Sequence, residues 1–333
     1  MSIKTYAIAI RDVLGEEMRR DPEVFLMGED IAQQGGIFGC TRGLVDEFGP
    51  ERVRNTPISE NTFVGAGVGA ASVGMRPVVE LMYMDFLYLA MDQILNQAAK
   101  IRYMFGGKVK VPLVVRGQQG IGRGNAGQHS QSVEALLMNI PGLKVVCPST
   151  PADAAGLLRT AIRDDNPVVF IEHKALYSLK GEVPDDPEFS VPFGECSIAR
   201  EGKDVTIVGT FLYRERSLEA AERLAKEGIS AEVIDPRTLV PLDIDTIVNS
   251  VKKTGRLVTV HEAHRTMGFG TEIAAQVTEK AFAYLDAPPV RVGAKMCTLP
   301  FNLGLENAVV PQVDDIIAAV KSTLHIEPFS KLG

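Results

Sequence analysis

The sequence predicts an α/β protein of two domains with mainly parallel sheets flanked by helices. Short apolar runs alternate with segments of helical periodicity along most of the chain, the pattern of strands joined by covering helices. With 333 residues, each half is long enough to bury its own core. One proline- and acid-rich stretch, Ser178–Pro192, interrupts the alternation and reads as a crossover. The predicted organisation is a first domain over 1–180, a linker over 181–195 and a second domain over 196–333.

In the first half, Pro57–Gly74 reads as a glycine-rich helix with Glu60 in its first turn. Gly65, Gly67, Gly69 and Gly74 would permit close backbone packing. Val78–Leu81, Val111–Val115, Leu143–Cys147 and Val168–Glu172 read as strands. Leu87–Phe105 reads as a long helix, with Leu87, Met91, Ile94, Ala98, Ile101 and Phe105 on its apolar face. Thr150-Pro151-Ala152-Asp153 carries the signals of a helix start, and that helix should run to Arg163. The second half is more regular. Strands are expected at Asp204–Gly209, Ala231–Asp235, Arg256–Glu262 and Val290–Gly293. Helices are expected at Ser217–Glu227, Asp243–Lys253, Thr271–Tyr284 and Asp314–Leu324.

Composition narrows the function. Thirty-five basic against forty-two acidic residues give a net charge of −7 with no long basic run, which argues against nucleic acid as a partner. No apolar stretch reaches the ~18 residues of a membrane span. Cys40, Cys147, Cys196 and Cys297 are scattered without paired spacing and read as free thiols of a reducing compartment. The expected location is the cytoplasm, or the mitochondrial matrix if a presequence has been removed.

Four segments invite chemistry. The glycines of Pro57–Gly74 do not form a dinucleotide fingerprint, because a turn rather than a strand precedes them. By spacing alone, Glu60 reads as a carboxylate matched to the positive end of its helix. Arg116–Ser132 holds five glycines within eleven residues and reads as a long loop after a strand, ending near His129. That histidine is equally readable as structural or as a proton-transfer group. His261 and His264 stand three apart, not four, so zinc is set aside in favour of a solvated or interfacial polar loop. Ala161–Val169 joins a helix end to a strand. Its carbonyls with Asp164 and Asn166 would suit a monovalent cation, although an ordinary polar turn is the simpler reading.

Taken together, the motifs are more specific. ISE at Ile58–Glu60, ELMYMDF at Glu80–Phe86, DQILNQAAKIRYMFGG at Asp92–Gly107, GQHSQ at Gly127–Gln131, PGLKVVCPS at Pro141–Ser149 and AIRDDNPVVFIEHK at Ala161–Lys174 stand in this order. From about residue 4 to 324 the chain resembles the β subunits of thiamine-diphosphate-dependent 2-oxoacid dehydrogenase complexes. Ile101–Lys108 and Glu172–Pro184 are most similar to the acetoin branch. The resemblance implies a transketolase-like pyrimidine-binding domain followed by a transketolase C-terminal-like domain. It implies an oxidoreductase that cleaves acetoin or a 2-oxo acid and passes the acyl group to lipoamide. Glu60 would hydrogen-bond the pyrimidine ring nitrogen of thiamine diphosphate, Phe86 would stack on that ring, and Ile58 and Met82 would line the pocket. His129 would donate or orient a proton for the intermediate and the transfer to lipoamide. A potassium ion would be held by carbonyls of Leu113, Ala161, Ile162 and Asn166 and by Asp164.

The family also needs a GDG…N motif that holds the diphosphate through magnesium. The chain has none; Gly28-Glu29-Asp30 is the nearest string and does not match. The diphosphate half of the site would therefore come from an α subunit, in an assembly of two α and two β chains. The C-terminal domain would pair with its twin and help bind the dihydrolipoyl acyltransferase core. The tail HIEPFSKLG runs past the usual family end. Two rivals are half of a split transketolase, disfavoured by GQHSQ and AIRDDNPVV, and a non-catalytic scaffold, disfavoured by the presence of both Glu60 and His129.

Overall fold

A computed structural model describes residues 1–324. The tail from His325 onward, singled out in the sequence, lies outside the described residues. Contacts divide the chain into two compact units: Met1–Gly120 with Leu136–Phe193, and Ile121–Ala135 with the chain from Gly194 onward. Residues 121–135, placed in the first domain from sequence, thus belong to the second unit.

The first unit opens with β1 (Ser2–Thr5), α1 (Tyr6–Arg20), β2 (Val24–Gly28), α2 (Leu44–Phe48), β3 (Val53–Asn55), α3 (Glu60–Ser72) and β4 (Arg76–Leu81). A helical run follows, with α4 (Leu87–Asp92) and α5 (Ala99–Met104) on either side of a π-helical stretch, Gln93–Ala98. Next come β5 (Val114–Gln119), α6 (Glu134–Leu137) at the boundary, β6 (Lys144–Val146), α7 (Pro151–Arg163), β7 (Val168–His173) and β8 (Lys180–Val183). Six strands run parallel in the order β3-β2-β4-β5-β7-β6. β2, β5 and β7 are buried along their whole length; β2 (VFLMG) and the start of β7 (VVFI) are continuous apolar runs, whereas β5 (VVRGQQ) turns polar after Val115. α7 begins where the sequence predicts, with the Thr150 hydroxyl accepting the Asp153 amide at 3.0 Å and Pro151 in the first turn.

Three sequence expectations are corrected. Val111–Leu113 precede the strand rather than belong to it, and β5 instead extends to Gln119, into the glycine-rich segment. The crossover stretch contains β8, paired antiparallel with β1. Of the α3 glycines, Gly65 and Gly67 do permit close packing: a Cβ would lie 3.1 Å from Gln93 Oε1 at the first and 2.7 Å from Val79 Cγ2 at the second. Gly69 and Gly74 have nothing within 4 Å.

The second unit consists of β9 (Ser197–Arg200), β10 (Val205–Gly209), α8 (Leu212–Ala225), β11 (Ala231–Asp235), β12 (Thr238–Val240), α9 (Ile244–Thr254), β13 (Leu257–His264), α10 (Phe269–Ala281), β14 (Val290–Ala294), α11 (Leu303–Val309) and α12 (Val313–Thr323). Its sheet runs β14-β13-β10-β11-β9, parallel except for β9. Ile207, Val233, Val258 and Val260 pack with Tyr213, Leu224 and Ile316 as its core. Asp243 caps α9 by accepting the Thr246 amide at 3.1 Å. His261 is a correction: it is buried, not solvated. Its ring packs on Phe269, its Nδ1 meets the Ala263 carbonyl at 2.9 Å, and burial lowers its pKa to about 4, so it is neutral.

At the centre of the first sheet, Arg116 on β5 is 2% exposed. Its guanidinium donates to Glu172 on β7 at 2.6 and 2.7 Å and to Glu80 on β4. The Tyr177 hydroxyl donates to Glu172 at 2.6 Å. Burial pushes the Glu80 carboxyl upward, against the pull of Arg116. Removing the one cation would strand two buried carboxylates. Arg116→Met is therefore expected to cost about 3–5 kcal/mol in chemical denaturation. A loss below about 1 kcal/mol would mean that the carboxylates need no cation.

Candidate active site

Parallel strands share a carboxyl edge, and β3, β2 and β4 are neighbours. The segments leaving them gather at that edge. Glu29 follows β2, Pro57–Glu60 follows β3, and Met82 follows β4. This is where an open parallel sheet accepts ligands.

Glu60 is the first residue of α3 and is 5% exposed. The amides of Thr62 and Phe63 turn back to the Ser59 carbonyl at 2.8 and 3.0 Å, while the Ser59 hydroxyl donates to the Pro57 carbonyl. No side chain caps this helix end, so the Glu60 carboxyl lies at an uncapped positive end. Ile58 stands beside it with 82% of its surface exposed, a large apolar side chain in solvent. Met82 is half-buried, and its carbonyl accepts the Gln118 amide at 2.7 Å. Phe86 is half-buried and meets Tyr83 edge-on with ring centroids 6.1 Å apart. Tyr83 in turn leans on Phe38, which stacks on Tyr177.

Sequence reasoning missed Glu29. It is buried and its Oε1 has no hydrogen-bond partner. Burial, with Glu60 and Asp30 nearby, raises its pKa to about 7. The edge thus presents two neighbouring carboxyls, one of which is half-protonated at neutral pH. Such a pair can hold and pass a proton. The available signal was an acid at the carboxyl end of an all-apolar strand, VFLMG, hidden by the failed match to the diphosphate motif. Ile58, Glu60, Met82 and Phe86 all belong to the first unit, as does Glu29, which has Glu60 nearby. His129 belongs to the second unit, half-buried in a turn closed by its amide to the Ala126 carbonyl at 3.3 Å.

The turn expected to hold potassium carries internal hydrogen bonds and ion pairs of its own. The Leu113 carbonyl accepts the Val168 amide at 2.9 Å, and the Ala161 carbonyl accepts the Asp164 amide at 3.3 Å. The carbonyls of Ile162 and Asp164 accept the Arg76 guanidinium at 3.0 and 3.1 Å. Lys144 binds the Asp164 carboxylate, Lys110 binds Asp165, and Arg102 donates to the Asn166 side chain. Four cationic side chains converge on this turn. Among the described residues, no group of three or more His, Cys, Asp or Glu gathers as a metal site. No described helix is long and apolar enough to cross a membrane.

Residues 3–180 match the family of transketolase pyrimidine-binding domains, and residues 194–316 match transketolase C-terminal domains. The chain is 49% identical to the β subunit of acetoin:2,6-dichlorophenolindophenol oxidoreductase from Cupriavidus necator over 97% of each chain. It is 46% identical to the corresponding subunit from Bacillus subtilis, covering 95% of this chain and 96% of that one. It is also 46% identical to the pyruvate dehydrogenase E1 component β subunit from Rhizobium meliloti, over 98% of this chain and 71% of the relative. Among solved structures it resembles a split-gene transketolase in an inactive β4 tetramer, with a TM-score of 0.78 and 25% identity over 97% of this chain and 98% of that one. The two domains define a transketolase-like protein. Within that class, the chain belongs to the family of dehydrogenase E1 β subunits, at far higher identity than it shares with the split transketolase.

The Glu29 environment sets a pH dependence. Below about 4.5 both folded and unfolded states hold the proton. Between about 4.5 and about 7 the unfolded chain releases it while the folded chain keeps it, so folding loses stability as pH rises. Glu29→Gln imitates the protonated group. The variant is expected to gain thermal midpoint over the parent progressively across that window and to hold the gain above it. A difference in midpoint that does not change with pH would contradict the raised pKa.

Proposed function

We propose that this chain is the β subunit of the thiamine-diphosphate-dependent first component of an acetoin or 2-oxo acid dehydrogenase complex, active only with an α subunit. The buried Glu60 carboxyl at an uncapped helix end, with the exposed apolar Ile58 two residues before it and a second carboxyl nearby, carries this reading. The residues fit the pyrimidine half of the cofactor: an acid for a ring nitrogen, Phe86 for the ring face, and Ile58 and Met82 for its edges. When bound, thiamine diphosphate supplies the carbon nucleophile and electron sink for cleaving the bond beside a carbonyl. Glu60 holds a proton against the pyrimidine ring nitrogen and so sets its tautomer. Burial of that carboxyl keeps water from competing for the same nitrogen. His129 donates a proton to the substrate oxygen and assists transfer of the acyl group to lipoamide.

The remaining requirements fall to partners. The α subunit would supply magnesium and the diphosphate contacts, in an assembly of two α and two β chains. The lipoyl acceptor would come from a dihydrolipoyl acyltransferase core. Acetoin is favoured over pyruvate and branched-chain 2-oxo acids by the Ile101–Lys108 and Glu172–Pro184 stretches. The compartment would be that of the complex, bacterial cytoplasm or mitochondrial matrix.

The test is dye reduction by the chain assembled with its α subunit, with acetoin, pyruvate and a branched-chain 2-oxo acid as substrates. Acetoin is expected to be preferred. Activity with none of the three would shift the reading to ketol transfer. Glu60→Ala should lower turnover by at least ~10²-fold while assembly persists. Near-parental turnover in an intact assembly would remove Glu60 from the mechanism.

A further inference from the structure

The segment that carries His129 is fastened at both ends by buried carboxylates. At its start, the Ile121 side chain is 2% exposed and sits in an apolar cluster with Ala294, Val310 and Leu299. The Ile121 amide donates to Glu262 Oε1 at 2.7 Å, and the Gly122 amide donates to Glu306 Oε2 at 3.2 Å. At its end, the Ser132 hydroxyl reaches the same Glu262 Oε1 at 3.5 Å. Between these points the loop lies against 298–301. A Cβ on Gly124 would come within 2.6 Å of the Phe301 carbonyl oxygen, and one on Gly127 within 2.3 Å of Thr298 Cγ2. Glycine-rich sequence alone would leave this arc loose, because glycine loses the most conformational freedom on ordering. Charge-assisted bonds to its amides counter that freedom.

Both carboxylates are buried, which is costly. Glu262 stands near the end of β13 at 6% exposure, and Glu306 stands in the first turn of α11 at 1%. Glu306 Oε1 has no hydrogen-bond partner. A buried carboxylate with one oxygen unsatisfied is destabilising by itself, so the contact it does make stands out as its role.

We propose that Glu262 and Glu306 are positioning residues that hold the 121–132 loop and thereby fix where His129 stands. This rests on the role given to His129 above. A displacement of about 1 Å at a reacting group can cost ~10²-fold in rate, so loosening the anchors should lower turnover without altering the groups that bind substrate.

The test uses the assembled enzyme and measures acyl transfer to a lipoyl domain. Glu262→Ala is expected to lower kcat by roughly ten- to hundredfold with KM nearly unchanged. Glu262→Gln, which keeps an acceptor oxygen, should recover most of the loss. Combining Glu262→Ala with His129→Ala should be no worse than His129→Ala alone, because residues acting through one group are not additive. Multiplying losses in the double variant, or full activity in Glu262→Ala, would overturn the proposal. Full activity in His129→Ala would remove the role of His129 and the positioning proposal with it, whereas a crippled His129→Ala beside an active Glu262→Ala would remove the positioning alone. If Glu262→Ala does not fold, Glu306→Leu serves instead, since it removes a buried charge that is only half satisfied. The same non-additivity with His129→Ala is expected, with faster amide hydrogen exchange over 121–132. Unchanged exchange and activity would overturn the proposal.

Discussion

Burying a carboxylate is the constraint on which this structure turns. The carboxyl edge of the first sheet gathers acids at the ends of neighbouring strands, and the protein treats them in two ways. Glu80 and Glu172 share one buried cation, Arg116, and Tyr177 satisfies a further oxygen. Glu29, just after β2, and Glu60, at the start of α3, form no ion pair with any described residue. Burial raises the Glu29 pKa to about 7, so that carboxyl keeps its proton toward neutral pH. Paired acids of the first kind brace a sheet; unpaired acids of the second kind are available for proton chemistry.

The second unit repeats the device for a different end. Two of its buried acids, Glu262 and Glu306, accept backbone amides of a glycine-rich loop. The same chemistry that would destabilise an isolated carboxylate here orders a segment that sequence composition alone would leave loose. The turn after α7 shows the converse, acids gathered under several basic side chains. There Arg76 donates to a helix-end carbonyl, and Lys110 and Lys144 pair with Asp165 and Asp164.

Much of this was legible in the sequence. The parallel α/β plan followed from alternating periodicity, and the start of α7 from Thr150 and Pro151. Glu60 and His129 stood out only once the ordered motifs were read together, because a lone acid at a helix start has an ordinary explanation. Other features were hidden for physical reasons. β1 and β8 are short and half-exposed, so they lack a strong apolar signal and depend on each other across the sequence. Glu29 depends on its neighbours in space. His261 read as polar surface because histidine is polar, yet it packs neutral against Phe269. The placement of residues 121–135 with the second unit rests on contacts to Glu262 and Glu306 more than a hundred positions away, beyond any local pattern.

The central claim is that this chain holds half of a cofactor site, the pyrimidine half. Calorimetric titration of thiamine diphosphate with magnesium tests it most directly, on the chain alone and on the chain assembled with its α subunit. Weak binding to the lone chain and tight, magnesium-dependent binding to the assembly is the predicted result. Tight magnesium-dependent binding by the lone chain would contradict a divided site.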